Sequence, residues 1–498
     1  MITLPAPTNG WNARDNLAEM QLNDAVEMIN LIPNGDSVKS RPGFQAHSSD
    51  LGGAVETLVT YHGATEKLIC AEGSEIIDIT AGGAGTVLND RDGGGVNIVY
   101  TSARWQTTEF KNRIIFCNGS DGVRDYDGTT MTATSITGAT SADLIDCVTH
   151  HGRVLYVEKD SQSFWYADAG AYSGALTEFD LSEFTTTGGD LLTLISWTRD
   201  SGAGMDDLLV CLFDTGEMLV YAGTDPGSAT DWQLLGRFRI GEPLGRRCVT
   251  QTGGDVIVLT IDGYVPLSAA ITEGRYTEQS NFSFRIDSEV KSAAQAHGSN
   301  FGWESVYWPQ ASLFIVNVPI GTGQSEQHVR NTTKGGWCKF TNIDAVTWAL
   351  YDEDLYFSTN DGYVMKMSGS SDNAAFIPFT CTQAFTFFGQ PGQTKQATAA
   401  KPITTFSYPK YIDLNMFEDF NITTLPAYDA PPEPAVSDWD VGEWNSASWT
   451  TYSAESNTSR KNIIGNGYAL ALSLRFKSRA QTVLWYATNV WVKPAGVV

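Results

Sequence analysis

Apolar and polar residues alternate in short runs along most of this chain. Between Tyr61 and about Met367 one unit keeps returning: an apolar strand, a tight turn rich in Gly or Asp, and a second strand. KLICAEGSEIIDIT, RIIFCNGSDGVRDYD, RVLYVEKDSQSFWYAD, LLVCLFDTGEMLVYAG, VIVLTIDGYVPLSA and LYFSTNDGYVMKM all have this form. Such runs predict antiparallel hairpins. Asp262-Gly263 and Asp361-Gly362 are the firmest turn signals, because a two-residue type I′ turn needs positive φ at both central positions. The turns fall near Gly73, Gly122, Ser161, Gly216, Gly263, Gly321 to Gly323, and Gly362, with gaps of 49, 39, 55, 47, about 59 and about 40 residues. A mean spacing near 48 fits the four-stranded blade of a β-propeller. The predicted class is all-β, with an irregular propeller of six or seven blades over residues 51–376. No WD or kelch signature fixes a repeat family, and a sandwich of the same hairpins is the alternative.

The pattern differs at both ends. In residues 1–50, Asp24 followed by Glu27 reads as a capping box opening a short helix, with Ala25, Met28, Ile29 and Ile32 on one face and Pro33 closing it. An Asn34-Gly35-Asp36 turn then leads to an extended run through Arg41-Pro42-Gly43-Phe44. This segment is expected to be an N-terminal docking arm carrying Trp11, Arg14 and Arg41 as exposed anchors. Near Phe376 the hairpin repeat stops. Strands broken by Pro391-Gly392, a Pro-rich linker from Leu425 to Pro434, three tryptophans five residues apart (Trp439, Trp444, Trp449) and the runs ALALSLRFKS and TVLWYATNVWV follow. Residues 377–498 are expected to form a β-sandwich or platform, with those tryptophans as its core or as contacts to a neighbour.

Composition narrows the function classes. A chain of 498 residues should fold as two or three units. There is no basic-then-apolar leader and no apolar run of the roughly 18 residues that a membrane span requires, so a chain made soluble in a cytoplasm is expected. Seven cysteines without a C-x-x-C pair make a poor disulfide framework. Cys70, Cys117 and Cys211 lie in apolar runs and are expected as core thiols. Residues 381–498 hold nine basic and nine acidic residues. Residues 1–380 therefore hold 23 and 48, which is the whole formal charge of −25. Phosphate neutralisation needs clustered Lys and Arg, so tight binding of nucleic acid is not expected.

Motifs for catalysis are lacking. There is no G-x-S-x-G, no H-E-x-x-H and no Walker loop. His150-His151 would point to opposite faces of a strand and so suit a shared metal poorly. Carboxylates are paired at Asp90 and Asp92, at Asp206 and Asp207, and at Asp352 to Asp354, a pattern that two-carboxylate glycoside hydrolysis would need. Their Gly-rich or turn settings favour solvated turn carboxylates. No catalytic residue, cofactor or metal is expected.

One segment carries a more particular signal. Gly10-Trp11-Asn12, Arg14-Asp15, Leu17-Ala18, Asp24-Ala25, Asn30, Pro33 and Arg41-Pro42-Gly43-Phe44 stand in an order that resembles the opening of the tail-hub, or nozzle, proteins of short-tailed bacteriophages, which are related to the packaged-DNA stabilisation proteins. The resemblance implies a virion protein assembled in the bacterial host cytoplasm, six copies ringing a channel in the tail. It implies docking beneath an adaptor ring under the portal, with fibres or spikes at the sides and genomic DNA held and then passed without tight binding. Trp11, Arg14, Asp15, Arg41 and Phe44 would form the assembly interface, with Trp439, Trp444 and Trp449 as further platform contacts. The residues of a channel or gate are not identifiable. The alternative is a carbohydrate-active propeller enzyme or lectin of the virion.

Overall fold

In a computed structural model the described residues are all but 92–94, 201–204, 274–280, 406–411, 429–459, 480–481 and 497–498. They are dominated by β-strands, with two short α-helices, Leu267–Glu273 and Asp287–His297. The chain divides into two compact units. Unit 1 comprises residues 1–45, 328–342 and 368–498, and unit 2 comprises 46–327 and 343–367.

Unit 2 is a propeller-like succession of three- or four-stranded antiparallel runs, each meandering to the next strand along, with one two-stranded parallel pair, Ile136–Thr137 with Gly174–Ala175, between them. Their first strands are Val55–His62, Gln106–Phe110, Leu144–His150, Leu191–Asp200, Val249–Thr252, Glu304–Trp308 and Ala345–Tyr351. Each first strand packs beside its neighbouring sheet in chain order, and Ala345–Tyr351 returns to pack beside Val55–His62. The reason is burial. A four-stranded sheet with two apolar faces must cover both, and successive sheets cover one another. Ile69, Trp105, Phe116 and Tyr126 fill the space between the first and second sheets, and Leu155, Phe164, Leu209 and Phe213 that between the third and fourth. Val55, Leu58 and Cys70 join Ala349, Tyr356 and Val364 between the first and the last. Residues 47 and 48 hydrogen-bond to the Val364 carbonyl before the chain enters the first sheet, tying the start of the unit to its end.

The two firmest turn signals mark hairpins with shifted tips. Thr260 pairs with Gly263, so Ile261-Asp262 form the tip and Gly263, at φ 139°, opens the return strand. At the other, the Thr359 N–H bonds to the Tyr363 carbonyl across a three-residue loop that ends on Gly362 at φ 85°. Both glycines lie at positive φ, a backbone that L side chains rarely adopt.

Unit 1 departs from the expected arm and helix. Residues 24–34 are strands, Asp24–Ile29 and Leu31–Asn34, not a helix. Asp24–Ile29 lies between Gly10–Trp11, to which it is parallel, and Ile377–Gln383, to which it is antiparallel. A register shift between Ala25 and Glu27 inserts a bulge, so Ala25 and Met28 are both buried at a spacing of three. That bulge imitates helical periodicity in the sequence. The Asp24 carboxylate, read as a helix cap, instead accepts hydrogen bonds from the Asn9 and Asn12 amides, each at 2.9 Å. The first 45 residues are thus woven into two sheets with the C-terminal strands. Ile2–Pro5 pairs with Leu484–Gly496, and Ser37–Ser40 pairs with the start of that same strand. Residues 1–50 and 377–498 therefore do not separate into an arm and a platform.

Candidate functional site

Of the five residues expected at an exposed interface, two are buried. Trp11 packs edge-on to His328, with Lys339 over its ring. Arg41 is enclosed completely. Its guanidinium forks onto Asp372 at 2.7 and 2.8 Å, and its remaining N–H groups donate to Asn30 Oδ1, the Pro42 carbonyl and the Thr341 carbonyl. All five donors of the side chain are used. Burial pushes the Asp372 carboxyl up from its ordinary value, and the guanidinium opposes that shift. Asn30, at φ 60°, receives the Arg41 Nε–H and donates to Thr341 and to the Pro378 carbonyl. Phe44 is half-buried, and its N–H bonds to the Ser371 carbonyl. Arg14 and Asp15 alone among the five remain substantially exposed, paired with each other. Trp439, Trp444 and Trp449 lie outside the described residues.

The glycines of the same segment have steric roles. A Cβ on Gly10, at φ 82°, would fall 2.4 Å from the Trp337 carbonyl oxygen, and one on Gly43 would fall 2.0 Å from that of Ser371. The pattern singled out in the sequence is thus a set of packing and hydrogen-bonding requirements within unit 1.

Within unit 2, the first strands and the turns leading into them enclose a cavity of about 430 Å³, with residues from all seven sheets in its wall. The wall is largely hydroxyl and amide. Side-chain hydrogen bonds bridge every neighbouring pair of sheets. Thr57 Oγ1 donates to the Ala103 carbonyl, Thr149 Oγ1 to Glu109, and Thr193 Oγ1 to the Asp146 carboxylate. The Gln251 amide donates to the Ser196 carbonyl, Thr250 Oγ1 to Ser305, and Thr60 Oγ1 to Leu350. Glu304 bonds to the Thr347 side chain and the Trp348 N–H. Sequence reading missed this belt. Its signal is a threonine directly after a valine in several first strands, Val59-Thr60, Val148-Thr149, Val249-Thr250 and Val346-Thr347.

Charged groups in the wall are mostly committed. Asp146 is buried, which pushes its carboxyl up to about 6 against the hydrogen bonds from Thr193 and the Cys147 N–H and the charge of Arg246. At the far end of the same strand, His150 shares a hydrogen with Ser196 Oγ at 2.8 Å, and burial, reinforced by His151, holds its ring down to about 4. Arg247 donates to the Glu56 carbonyl, Gln106 Oε1, Thr57 Oγ1 and the Trp105 carbonyl. The Glu304 carboxylate faces it at 3.7 Å, an ion pair too long for a hydrogen bond. Burial raises the Glu304 pKa.

The carboxylate pairs of the sequence have structural roles where they are described. Asp90 is buried, not solvated, and accepts from the Tyr100 hydroxyl at 2.6 Å and Arg124 Nε at 3.1 Å. Asp352 and Glu353 form a turn at positive φ, and Asp354 pairs with Lys366. Asp92 and the Asp206 side chain lie outside the described residues. Among the described residues no group of three or more His, Cys, Asp and Glu could hold a metal, and no helix is long and apolar enough to cross a membrane. All seven cysteines are buried thiols.

No family model matches the chain, and no curated protein matches it. Among solved structures, the computationally designed Ika8 protein is 12% identical with a TM-score of 0.38, covering 69% of this chain and 96% of that one. The WD40 β-propeller domain of Doa1 is 11% identical with a TM-score of 0.38, covering 66% and 97%. The extracellular domain of the one component system BT4673 from B. thetaiotaomicron is 10% identical with a TM-score of 0.42, covering 79% and 53%.

Proposed function

We propose that this chain is a structural virion protein, the tail hub or nozzle of a short-tailed bacteriophage. In this reading it forms a ring, with six copies expected, that continues the channel beneath the adaptor, retains packaged DNA and anchors fibres or spikes. The observation that carries the reading is the ordered N-terminal pattern from Gly10 to Phe44. Its residues answer specific demands in unit 1, the forked Arg41–Asp372 pair above all, so the pattern specifies a module and is not an accident of composition. Arg14 and Asp15 keep the exposure that a docking contact to the adaptor or a second copy needs.

We read the seven sheets of unit 2 as seven propeller blades. Their axial cavity, about 430 Å³, is far too small for a duplex whose major groove alone is about 12 Å wide. The DNA channel therefore belongs to the ring of copies. By sequence, unit 1 holds fifteen basic and fifteen acidic residues, which leaves 17 and 42 in unit 2 and places the entire −25 there. A channel wall of that sign repels phosphate and lets DNA slide. The alternative, a carbohydrate-active enzyme or lectin, needs carboxylates available to a sugar, whereas Asp146 and Glu304 in the axial cavity are engaged internally.

Negative-stain imaging of the purified protein, with sedimentation of virions from an infected host, tests the assignment. Rings of six and co-sedimentation are expected. A monomer that is absent from virions would end it.

A further inference from the structure

Next to the axial cavity of unit 2 lies a second one of about 220 Å³, whose ten lining residues include three arginines, Arg104, Arg246 and Arg247, and no carboxylate. In a unit that carries the whole negative charge of the chain, such a cluster requires a cause. Two of the guanidiniums have internal partners. Arg104 donates to Glu56 and lies 4.1 Å from the Phe301 ring centroid, and Arg247 sits 5.3 Å from the same ring. Burial lowers the Arg247 pKa against the pull of Glu304 and Glu56, and repulsion from Arg104 adds to the lowering. Arg246 differs from both. It is exposed, lines both cavities and, among the described residues, makes no hydrogen bond or ion pair. Asp146, which feels its charge, is buried and already accepts from Thr193 and the Cys147 N–H.

We propose that this pocket binds a small oxyanion, phosphate or carboxylate, through the unused fork of Arg246. Arg104 and Arg247, whose charges Glu56 and Glu304 partly offset, add to the positive potential, and Phe301 and Trp303 close the apolar side. A guanidinium presents parallel N–H donors that match two oxygens of such an anion, and a concave wall of one sign concentrates it. The volume equals about seven water molecules of liquid, enough for the anion and part of its hydration. The proposal does not rest on the tail-hub reading.

Isothermal titration of the full chain with inorganic phosphate and, separately, succinate, at fixed ionic strength, tests it. One saturable site is expected for at least one of them. Phosphate alone would point to a phosphate group as the natural ligand, and succinate alone to a carboxylate. Arg246→Gln should weaken binding at least tenfold while the thermal melt is unchanged, because the native side chain makes no internal hydrogen bond. Arg246→Lys, which keeps the charge and loses the fork, should fall between. Absence of saturable binding by both anions, or equal binding by Arg246→Gln, overturns the proposal.

Discussion

Unit 1 draws its strands from three separated stretches of chain, so that Ile2 lies opposite Val490, whereas unit 2 pairs almost every strand with the next one along. The two also treat buried polarity differently. Unit 1 gathers much of it into two networks, Arg41 with Asn30 and Asp372 and Asp24 with Asn9 and Asn12. Along the cavity of unit 2, single hydroxyl and amide bonds recur at each junction between sheets, with Arg247 as a hub of four more. A non-local unit depends on a few irreplaceable contacts, while a repeating one spreads its dependence over many modest ones.

The sharpest way to break that contrast is Arg41→Ala. Removing one partner of a buried ion pair leaves an uncompensated charge and costs about 3–5 kcal/mol, so unit 1 should lose its cooperative melt while unit 2 keeps its own. A single transition shifted by less than about 1 kcal/mol would show that the cluster does not carry unit 1.

Unit 2 should answer to pH through two opposed groups. The folded Asp146 pKa is about 6, above its ordinary 3.8. The folded state therefore holds that proton more tightly, and stability is lost as pH rises from about 4 to 6. His150 is depressed from 6.5 to about 4, so its contribution is lost as pH falls through that window. Each effect is about 3 kcal/mol, and together they nearly cancel. Urea melts of the parent chain from pH 4 to 6.5 should show little slope from these groups. His150→Gln should expose a decline with rising pH and Asp146→Asn the reverse. Parallel slopes in both variants would refute the pairing.

Smaller effects test the distributed belt. Thr149→Val and Thr250→Val should each cost about 0.5–1.5 kcal/mol and add when combined, since they lie at different junctions. A loss of 4 kcal/mol or more from either alone, read in chemical denaturation, would make the belt as concentrated as unit 1. Gly362→Ala, at φ 85° and with a Cβ that would fall 3.0 Å from the Gly53 carbonyl oxygen, should cost more than about 1 kcal/mol, and so should Gly263→Ala, at φ 139°, where a Cβ would fall 1.9 Å from the Asn281 amide nitrogen.

The same contrast explains what the sequence reveals. Hairpins of unit 2 are legible because both strands and the turn fall inside one short window, and the all-β class follows. The turn tips shift by a residue, since Asp-Gly signals a turn without fixing which side of the tip the glycine takes. Arg41 is illegible as a core residue because its partner Asp372 is 331 positions away, and an arginine with no visible partner reads as surface. Asp24–Ile29 is misread because a bulge changes the burial period from two to three. Arg246 and Arg247 are adjacent in sequence and alike in type, and only the structure shows one with four hydrogen bonds and the other with none among the described residues.

The pairing of Ile2–Pro5 with Leu484–Gly496 also sets an order of events at the ribosome. Unit 2 can close as soon as residue 367 has emerged, but Ile2–Pro5 and Ser37–Ser40 must wait for Leu484–Gly496, synthesised at least about 440 residues later. At about 5–20 residues per second that is roughly 20–90 s. Throughout that interval the earliest strands are exposed edges with unpaired backbone, so nascent chains stalled before residue 484 should recruit chaperones through their N-terminal segment.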